Sequence, residues 1–159
     1  MGWSDWITFS EINRYNIPEK PGVYIIRYSR IKGVPAKINR AYGIDKQGTL
    51  SIGETSNLKD RLRGFNRTIK GNRRRSNHAA SWYYVSCRYD RLFKKDGLQF
   101  RCKVANTKKE AERKEFILLA RYRNKFLDLP PLNNSSGKYP EEDWRNIMKT
   151  IFGREPLES

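Results

Sequence analysis

Three side chains with complementary chemistry occur far apart in this sequence: the phenol of Tyr24, the guanidinium of Arg61 and the carboxylate of Glu115. A guanidinium can bind two phosphate oxygens at once, and a carboxylate can hold a divalent cation through oxygen. A phenol can take a proton from an attacking water once positive charge has lowered its pKa. If the fold brings these groups together, they supply the chemistry of phosphodiester hydrolysis.

The charge of the chain favours a polyanionic partner. Its 159 residues include 33 Lys and Arg against 17 Asp and Glu, a formal net charge of +16. This surplus is too large for an ordinary surface of mixed sign, and we expect the partner to be DNA, in double-stranded form. A membrane surface is less favoured because no stretch approaches the roughly 18 apolar residues of a spanning helix. A basic structural protein of the ribosomal kind is the alternative.

The length predicts one domain over residues 1–159. The N-terminus lacks the basic start and apolar stretch of a secretory signal, so we expect a cytoplasmic protein. Cys87 and Cys102, with a single histidine, form neither a disulfide framework nor a spaced zinc site. Both cysteines are therefore expected in the core.

The elements that would position the reactive groups follow from hydrophobic periodicity. The pattern predicts an α/β fold in which helices flank a small mixed or antiparallel sheet of about three strands, with extra N- and C-terminal helices. Residues 78–89 suit a strand or a buried helix, and a helix is preferred. Strands are expected over 23–28, 49–52 and 98–104, an extended connection over 29–48, and helices over 9–16 (Ser10 as N-cap), 57–69, 107–126 and from Pro140.

Glu115 interrupts an apolar stripe on the helix predicted to begin at the capping box of Thr107. Ala111, Leu118 and Tyr122 share its face. An acid in that position must be paired, bound to a metal or placed at the mouth of a cleft. A structural ion pair with a nearby Lys or Arg explains it as well as a metal site does.

A basic run occupies the helix over 57–69 and the residues that follow it. Its apolar positions fall on one face, and eight Lys or Arg between Lys59 and Arg75 oppose one acid, Asp60. Like charges at these spacings destabilise a helix unless something neutralises them. We interpret the run as a phosphate-binding surface, with a solvated helix as the alternative. The candidate nucleic-acid-binding residues are Lys59, Arg63, Arg67, Lys70, Arg73, Arg74 and Arg75.

At these positions the sequence resembles the GIY-YIG nuclease superfamily. Gly22-Val23-Tyr24 is similar to the first strand motif of the family, and Ser51-Ile52-Gly53 is similar to the second. Arg61 follows Gly53 by the eight residues that the family pattern requires. Glu115 resembles the metal-binding Glu, and Asn133 closes a Pro-x-x-Asn ending. The resemblance spans about residues 21–134, leaving about 138–153 as a C-terminal helical extension.

The resemblance implies a Mg²⁺-dependent DNA endonuclease of the compact restriction or mobile-element type. Glu115 would hold one divalent ion, Arg61 would brace the phosphate, and Tyr24 would be the general base. The C-terminal helix and the basic run would supply DNA contacts or a homodimer surface. A non-catalytic DNA- or RNA-binding protein on the same scaffold is the alternative.

Two positions depart from the family pattern. Ser51 replaces the second Tyr, and Phe65 stands where a His or Tyr often follows the Arg. Tyr42, in the connection between the first two strands, is the candidate to restore the lost hydroxyl, and His78 is an additional candidate base. The candidate catalytic residues are Tyr24, Arg61, Glu115, Asn133, Ser51, Tyr42 and His78.

Overall fold

The computed structural model describes residues 2–31, 33–71, 78–138 and Lys149. Seven strands and three α-helices lie in these ranges. The strands are β1 (Ile7–Thr8), β2 (Gly22–Ile31), β3 (Val34–Pro35), β4 (Ile38–Asn39), β5 (Ile44–Asp45), β6 (Thr49–Thr55) and β7 (Leu98–Val104). The helices are α1 (Leu58–Ile69), α2 (Ala79–Ser86) and α3 (Lys108–Phe126), and short 3-10 helices span Phe9–Arg14, Tyr89–Arg91 and Lys95–Gly97.

The long strands form an antiparallel sheet with β2 at its centre. Strand β6 pairs with one edge of β2 and β7 with the other, so that Tyr24 lies opposite Gly53 on one side and Cys102 on the other. The two-residue strands β1 and β3 extend this sheet, and β4 pairs with β5 in a separate ribbon. The expected α/β class with an antiparallel sheet flanked by helices is confirmed.

Helices cover both faces of the sheet, which is why the first eight residues of β2 are buried without interruption. Because side chains alternate along a strand, Tyr24 and Ile26 point to one face and Ile25 to the other. Tyr24 and Ile26 pack in the same cluster as Phe65 of α1. Ile25 packs in the same cluster as Leu119 of α3. A functional group on α1 and one on α3 therefore approach the sheet from opposite sides.

Side-chain caps fix where the two long helices begin. Asn57 accepts from the backbone N–H of Asp60 at 3.1 Å, which starts α1. Thr107 accepts from the N–H of Glu110 at 3.1 Å, which starts α3 where the sequence predicts it. In a capping box the carboxylate of Glu110 would accept from the backbone N–H of Thr107. Here it accepts instead from the N–H of Asn106, at 2.7 Å.

Several expectations about elements need correction. The sheet has five strands rather than about three, because β1 and β3 are two-residue pairings too short to leave a periodic signal. Ser10 lies inside the first 3-10 helix, and the residue before that helix, Thr8, makes no side-chain cap hydrogen bond. Cys102 is buried as expected, but Cys87, which follows α2, is exposed.

The helix preferred over 78–89 is confirmed as α2, and the strand over 98–104 is confirmed as β7. The helix expected from Pro140 lies outside the described residues apart from Lys149. Within the described part of the chain, no helix is long and apolar enough to cross a membrane.

Candidate active site

Tyr24 reaches the edge of the sheet across the backbone of Gly53. The two residues are direct partners of β2 and β6, so their side-chain positions share a face. A Cβ added to Gly53 would lie 2.2 Å from the Tyr24 hydroxyl oxygen and 2.4 Å from Cζ. The phenol thus occupies the space that a side chain at residue 53 would need, and Tyr24 is only 2% exposed.

His78 meets Tyr24 from the N-terminal end of α2. Its Nε2 lies 3.0 Å from the Tyr24 hydroxyl, and the imidazole is 3% exposed. The ring packs edge-on against Phe65, with centroids 5.0 Å apart and an interplanar angle of 68°.

Arg61, on the first turn of α1, completes this side of the site. Its side chain hydrogen-bonds to the Tyr24 phenol. Its positive charge also acts on His78 and on Glu115. The charge of this one guanidinium therefore acts on all three of the other candidate groups.

Burial sets the protonation states of the two buried groups. It raises the pKa of Tyr24 to about 12, and the charge of Arg61 opposes this shift. Burial and the charge of Arg61 lower the pKa of His78 to about 3. At neutral pH the hydrogen bond between them therefore joins a protonated phenol and a neutral imidazole.

Glu115 faces the site from α3, on the opposite side of the sheet. It is half-buried, and the backbone N–H of Glu54 donates to its carboxylate. Burial first, and the charge of Glu54 second, raise the pKa of Glu115 to about 7, while Lys108 and Arg61 act in the opposite direction. The acid that interrupts the predicted apolar stripe is thus a half-buried carboxylate, and a nearby cation would stabilise its charged form.

Glu54 is a site residue that the sequence reasoning missed. It lies opposite Val23 in the sheet, which places it on the α3 face beside Glu115. It forms an ion pair with Lys108, and its side chain is 18% exposed. The sequence contained a signal for Glu54. This acid follows Gly53 directly and lies two residues after Ile52 on the same strand, so it shares with Ile52 a face that is expected to be apolar.

The loop after α3 closes over Glu115. Gly137 has a φ of +80°, and a Cβ there would lie 3.0 Å from Oε2 of Glu115 and 3.5 Å from Cδ1 of Leu119. The backbone of Gly137 therefore passes close to the carboxylate. Lys138 follows and lies 3.6 Å from the carboxylate of Glu112.

Asn133 contacts the backbone of the edge strand rather than the reactive groups. Its Oδ1 accepts from the N–H of Ile52 at 2.9 Å, and its Nδ2 donates to the Ile52 carbonyl at 2.8 Å. The N–H of Leu132 donates to the Leu50 carbonyl at 2.8 Å. The segment after α3 thus lies along the outer edge of β6, and Asn133 holds it there.

Ser51 and Tyr42 lie in different settings. Ser51 is 2% exposed and lies opposite Ile26, on the face that Tyr24 occupies. Tyr42 is 66% exposed, and its backbone N–H donates to the Phe126 carbonyl at the C-terminal end of α3. At 1.5 Å per residue that end lies roughly 16 Å along the helix from Glu115. The backbone of Tyr42 is thus fixed beside the C-terminal end of α3, away from the turn that carries Glu115.

The candidate phosphate-binding residues of α1 differ in their availability. Lys59 is ion-paired with Glu19. Arg63 is half-buried, and its charge also lowers the pKa of Glu19. Arg67 and Lys70 are exposed. The predicted contacts Arg73, Arg74 and Arg75 lie outside the described residues.

The residues present fit a Mg²⁺ ion. Among the described residues no group of three or more His, Cys, Asp or Glu could hold a metal. Glu115 and Glu54 nevertheless place two carboxylates on one face of the sheet. Mg²⁺ is commonly bound by one or two carboxylates and completes its shell with water and substrate phosphate.

Comparison with known proteins finds a likeness in fold alone. No family model matches the chain, and no curated protein matches it. The chain is similar to the crystal structure of the magnesium-bound GIY-YIG N-terminal endonuclease domain of UvrC from Thermotoga maritima. The identity is 23% over 78% of this chain and 92% of that chain, with a TM-score of 0.37. A point mutant of that domain matches at 24% identity over 79% and 93%, with a TM-score of 0.37.

Proposed function

We propose that this protein is a Mg²⁺-dependent DNA endonuclease. The observation that carries the proposal is the convergence of the Tyr24 phenol, the Arg61 guanidinium and the Glu115 carboxylate at the edge of β6. They come from a strand and two helices on opposite faces of the sheet. The pKa values of Tyr24 and Glu115 are both raised, and shifted pKa values cluster at active sites.

Tyr24 is the general base in this proposal. Because its pKa is raised to about 12, ionising the phenol at pH 7 costs about 7 kcal/mol. The phenol must first release its proton to solvent. In the tautomer that carries the proton on Nε2, the neutral imidazole of His78 donates to the phenolate and lowers that cost. The pKa of about 12 already includes the opposing effect of Arg61, whose charge and hydrogen bond favour the phenolate. Proton transfer from the attacking water therefore depends on all three residues.

Arg61 and Glu115 act on the phosphate. Arg61 donates to the non-bridging oxygens as negative charge develops in the transition state. Glu115 would hold the divalent ion, with Glu54 beside it, and the bound ion would stabilise the leaving oxygen. The backbone of Gly137 lies close to this carboxylate.

DNA is the proposed substrate because of the charge of the chain and the position of the basic residues. Arg67 is exposed on the helix that carries Arg61, and Lys70 is exposed directly after that helix. These residues add positive charge near α1 that would contact DNA phosphates other than the scissile one. The nuclease core in this proposal is residues 21–134.

Incubation with supercoiled plasmid tests the proposal. The wild-type protein should nick or linearise plasmid with Mg²⁺ and not with EDTA. Tyr24→Phe and Glu115→Gln should each lower the single-turnover rate by at least about 100-fold. Tyr42→Phe is the matched control for loss of a phenol hydroxyl and should cleave like wild type.

A non-catalytic DNA- or RNA-binding protein is the second candidate. It is favoured by the loss of the second phenol at Ser51 and by the high pKa of Tyr24. In that case the wild-type protein binds nucleic acid tightly at low salt but releases no product with Mg²⁺ or Mn²⁺ between pH 6 and 9. Binding without cleavage across that range would replace the nuclease proposal.

A further inference from the structure

Lys108 stands at an unfavourable point of its own helix. It is the first residue of α3, where the helix dipole is positive and a cation is disfavoured. Its ammonium is nevertheless held by Glu54 and acts on the charge of Glu115. The two carboxylates, rather than the helix, account for the position of this ammonium.

The two carboxylates need such a cation. Glu54 and Glu115 repel each other, and both are largely withdrawn from water. The backbone N–H of Glu54 already donates to Glu115, which fixes the spacing of the pair. Partly buried like charges at fixed spacing are stabilised by a positive charge close to both.

We propose that Glu54 is a second carboxylate of the divalent-ion site and that Lys108 is an internal cation that neutralises it in the metal-free protein and is displaced when the ion binds. This rests on the proposed function, because it takes Glu115 as the residue that holds the ion. It adds a competitor to that site and assigns a role to Glu54.

The side chain of Lys108 is suited to displacement. It is 43% exposed, whereas that of Glu54 is 18% exposed. A lysine side chain is a flexible stem with a strongly hydrated head, so it can return to solvent at little cost. Glu54, on a paired strand, stays where it is and becomes available to the incoming ion.

Binding of Mn²⁺ to the full chain without nucleic acid tests the proposal, with free Mn²⁺ measured by electron paramagnetic resonance. Lys108→Met removes the competing charge and should tighten binding about fivefold, and Lys108→Gln should do the same. Glu54→Gln should weaken binding about tenfold. Lys114→Met is the matched control, because Lys114 pairs with Glu110 on the same helix and its loss changes the net charge equally.

Four results would decide the matter. Tighter binding by both Lys108 variants, with no change in Lys114→Met, supports displacement. Weaker binding by the Lys108 variants shows that Lys108 holds the site together and overturns the proposal. Unchanged binding in Glu54→Gln while Glu115→Gln abolishes it removes Glu54 from the site and also overturns it. Unchanged binding in Glu115→Gln contradicts the proposed function itself, which is a different failure.

Discussion

The hydroxyl of Tyr24 lies 3.0 Å from Nε2 of His78, although 54 residues separate the two in sequence. One side chain comes from the central strand and the other from the start of α2. Both are almost completely buried. A buried phenol hydrogen-bonded to a buried neutral imidazole is held in one orientation, so the hydroxyl of Tyr24 has a fixed hydrogen-bond partner inside the protein.

We expect His78→Phe to slow cleavage about 100-fold. The substitution keeps an aromatic ring against Phe65 but removes the hydrogen-bond partner of Tyr24. The effect should appear in kcat rather than KM, because His78 contacts Tyr24 and assists through it. Single-turnover plasmid cleavage measures the rate, and urea unfolding checks that the variant is folded.

His78→Gln is the conservative control for this substitution. A side-chain amide can donate to or accept from the phenol, so it should recover part of the rate that His78→Phe loses. Equal rates for both variants and wild type would show that Tyr24 works without His78. Equal losses in both, with a normal fold, would show that only an imidazole serves.

Spacing along the chain predicted the parts of this site that lie on regular elements. Tyr24 on a strand, Arg61 on the following helix and Glu115 on the apolar stripe of α3 could each be placed, because strand and helix periods fix which face a residue occupies. The contact of Tyr24 with His78 could not be predicted. It depends on where the N-terminus of α2 docks on α1, and no local pattern encodes that position.

The surroundings of Tyr42 and Asn133 could not be predicted from the sequence. Both are candidate site residues because of residue type and position in a pattern. Tyr42 is anchored at the far end of α3, and Asn133 pairs with the Ile52 backbone. A loop residue is placed by the tertiary contacts that fix the loop, and these contacts are not visible in the sequence around it.

Glu115 should make the metal-free protein less stable as pH rises. Burial raises its pKa to about 7 in the folded protein, from an ordinary value of 4.5. The folded state therefore keeps this proton at pH values where the unfolded chain releases it. The associated stability is fully present below about pH 4.5 and is lost as pH rises through about 7.

Urea unfolding in EDTA at pH 5 and pH 8 measures this effect. Wild type should lose about 1–3 kcal/mol more than Glu115→Gln between the two values, once solvent screening is allowed for. The low pKa of His78 acts in the opposite direction but is common to both proteins. If stability changes with pH in the same way in both proteins, burial does not raise the pKa of Glu115.

Gly53→Ala should disrupt the site directly. The new Cβ would lie 2.2 Å from the Tyr24 hydroxyl oxygen, so the phenol must move away from the sheet edge. We expect a loss of about 1–3 kcal/mol in the free energy of unfolding. Cleavage should fall at least tenfold, on the order of the penalty for misplacing a reactive group.

Gly64→Ala is the matched control on α1. The nearest heavy atom to its new Cβ is a guanidinium nitrogen of Arg67, 3.7 Å away, which is ordinary contact. Alanine in a helix interior gains about 0.5–1 kcal/mol over glycine. Stability should therefore rise slightly and cleavage should stay at the wild-type rate. Normal cleavage by Gly53→Ala as well would show that Tyr24 can act from another position.

Asn133→Ala separates a structural role from a catalytic one. The substitution removes two hydrogen bonds to Ile52 at the outer edge of β6 and should cost about 2 kcal/mol of unfolding free energy. Asn133→Asp keeps the acceptor for the Ile52 N–H but loses the donor to the Ile52 carbonyl, so its loss of unfolding free energy should be intermediate.

Urea unfolding and plasmid cleavage, both at a temperature where each variant is fully folded, measure the structural and the catalytic role of Asn133. We expect cleavage per folded molecule to stay within about threefold of wild type, since at about 1.4 kcal/mol per factor of ten this is a change of less than 1 kcal/mol in the barrier. A fully folded Asn133→Ala that cannot cleave would instead place this amide in the reaction, as the sequence resemblance implies.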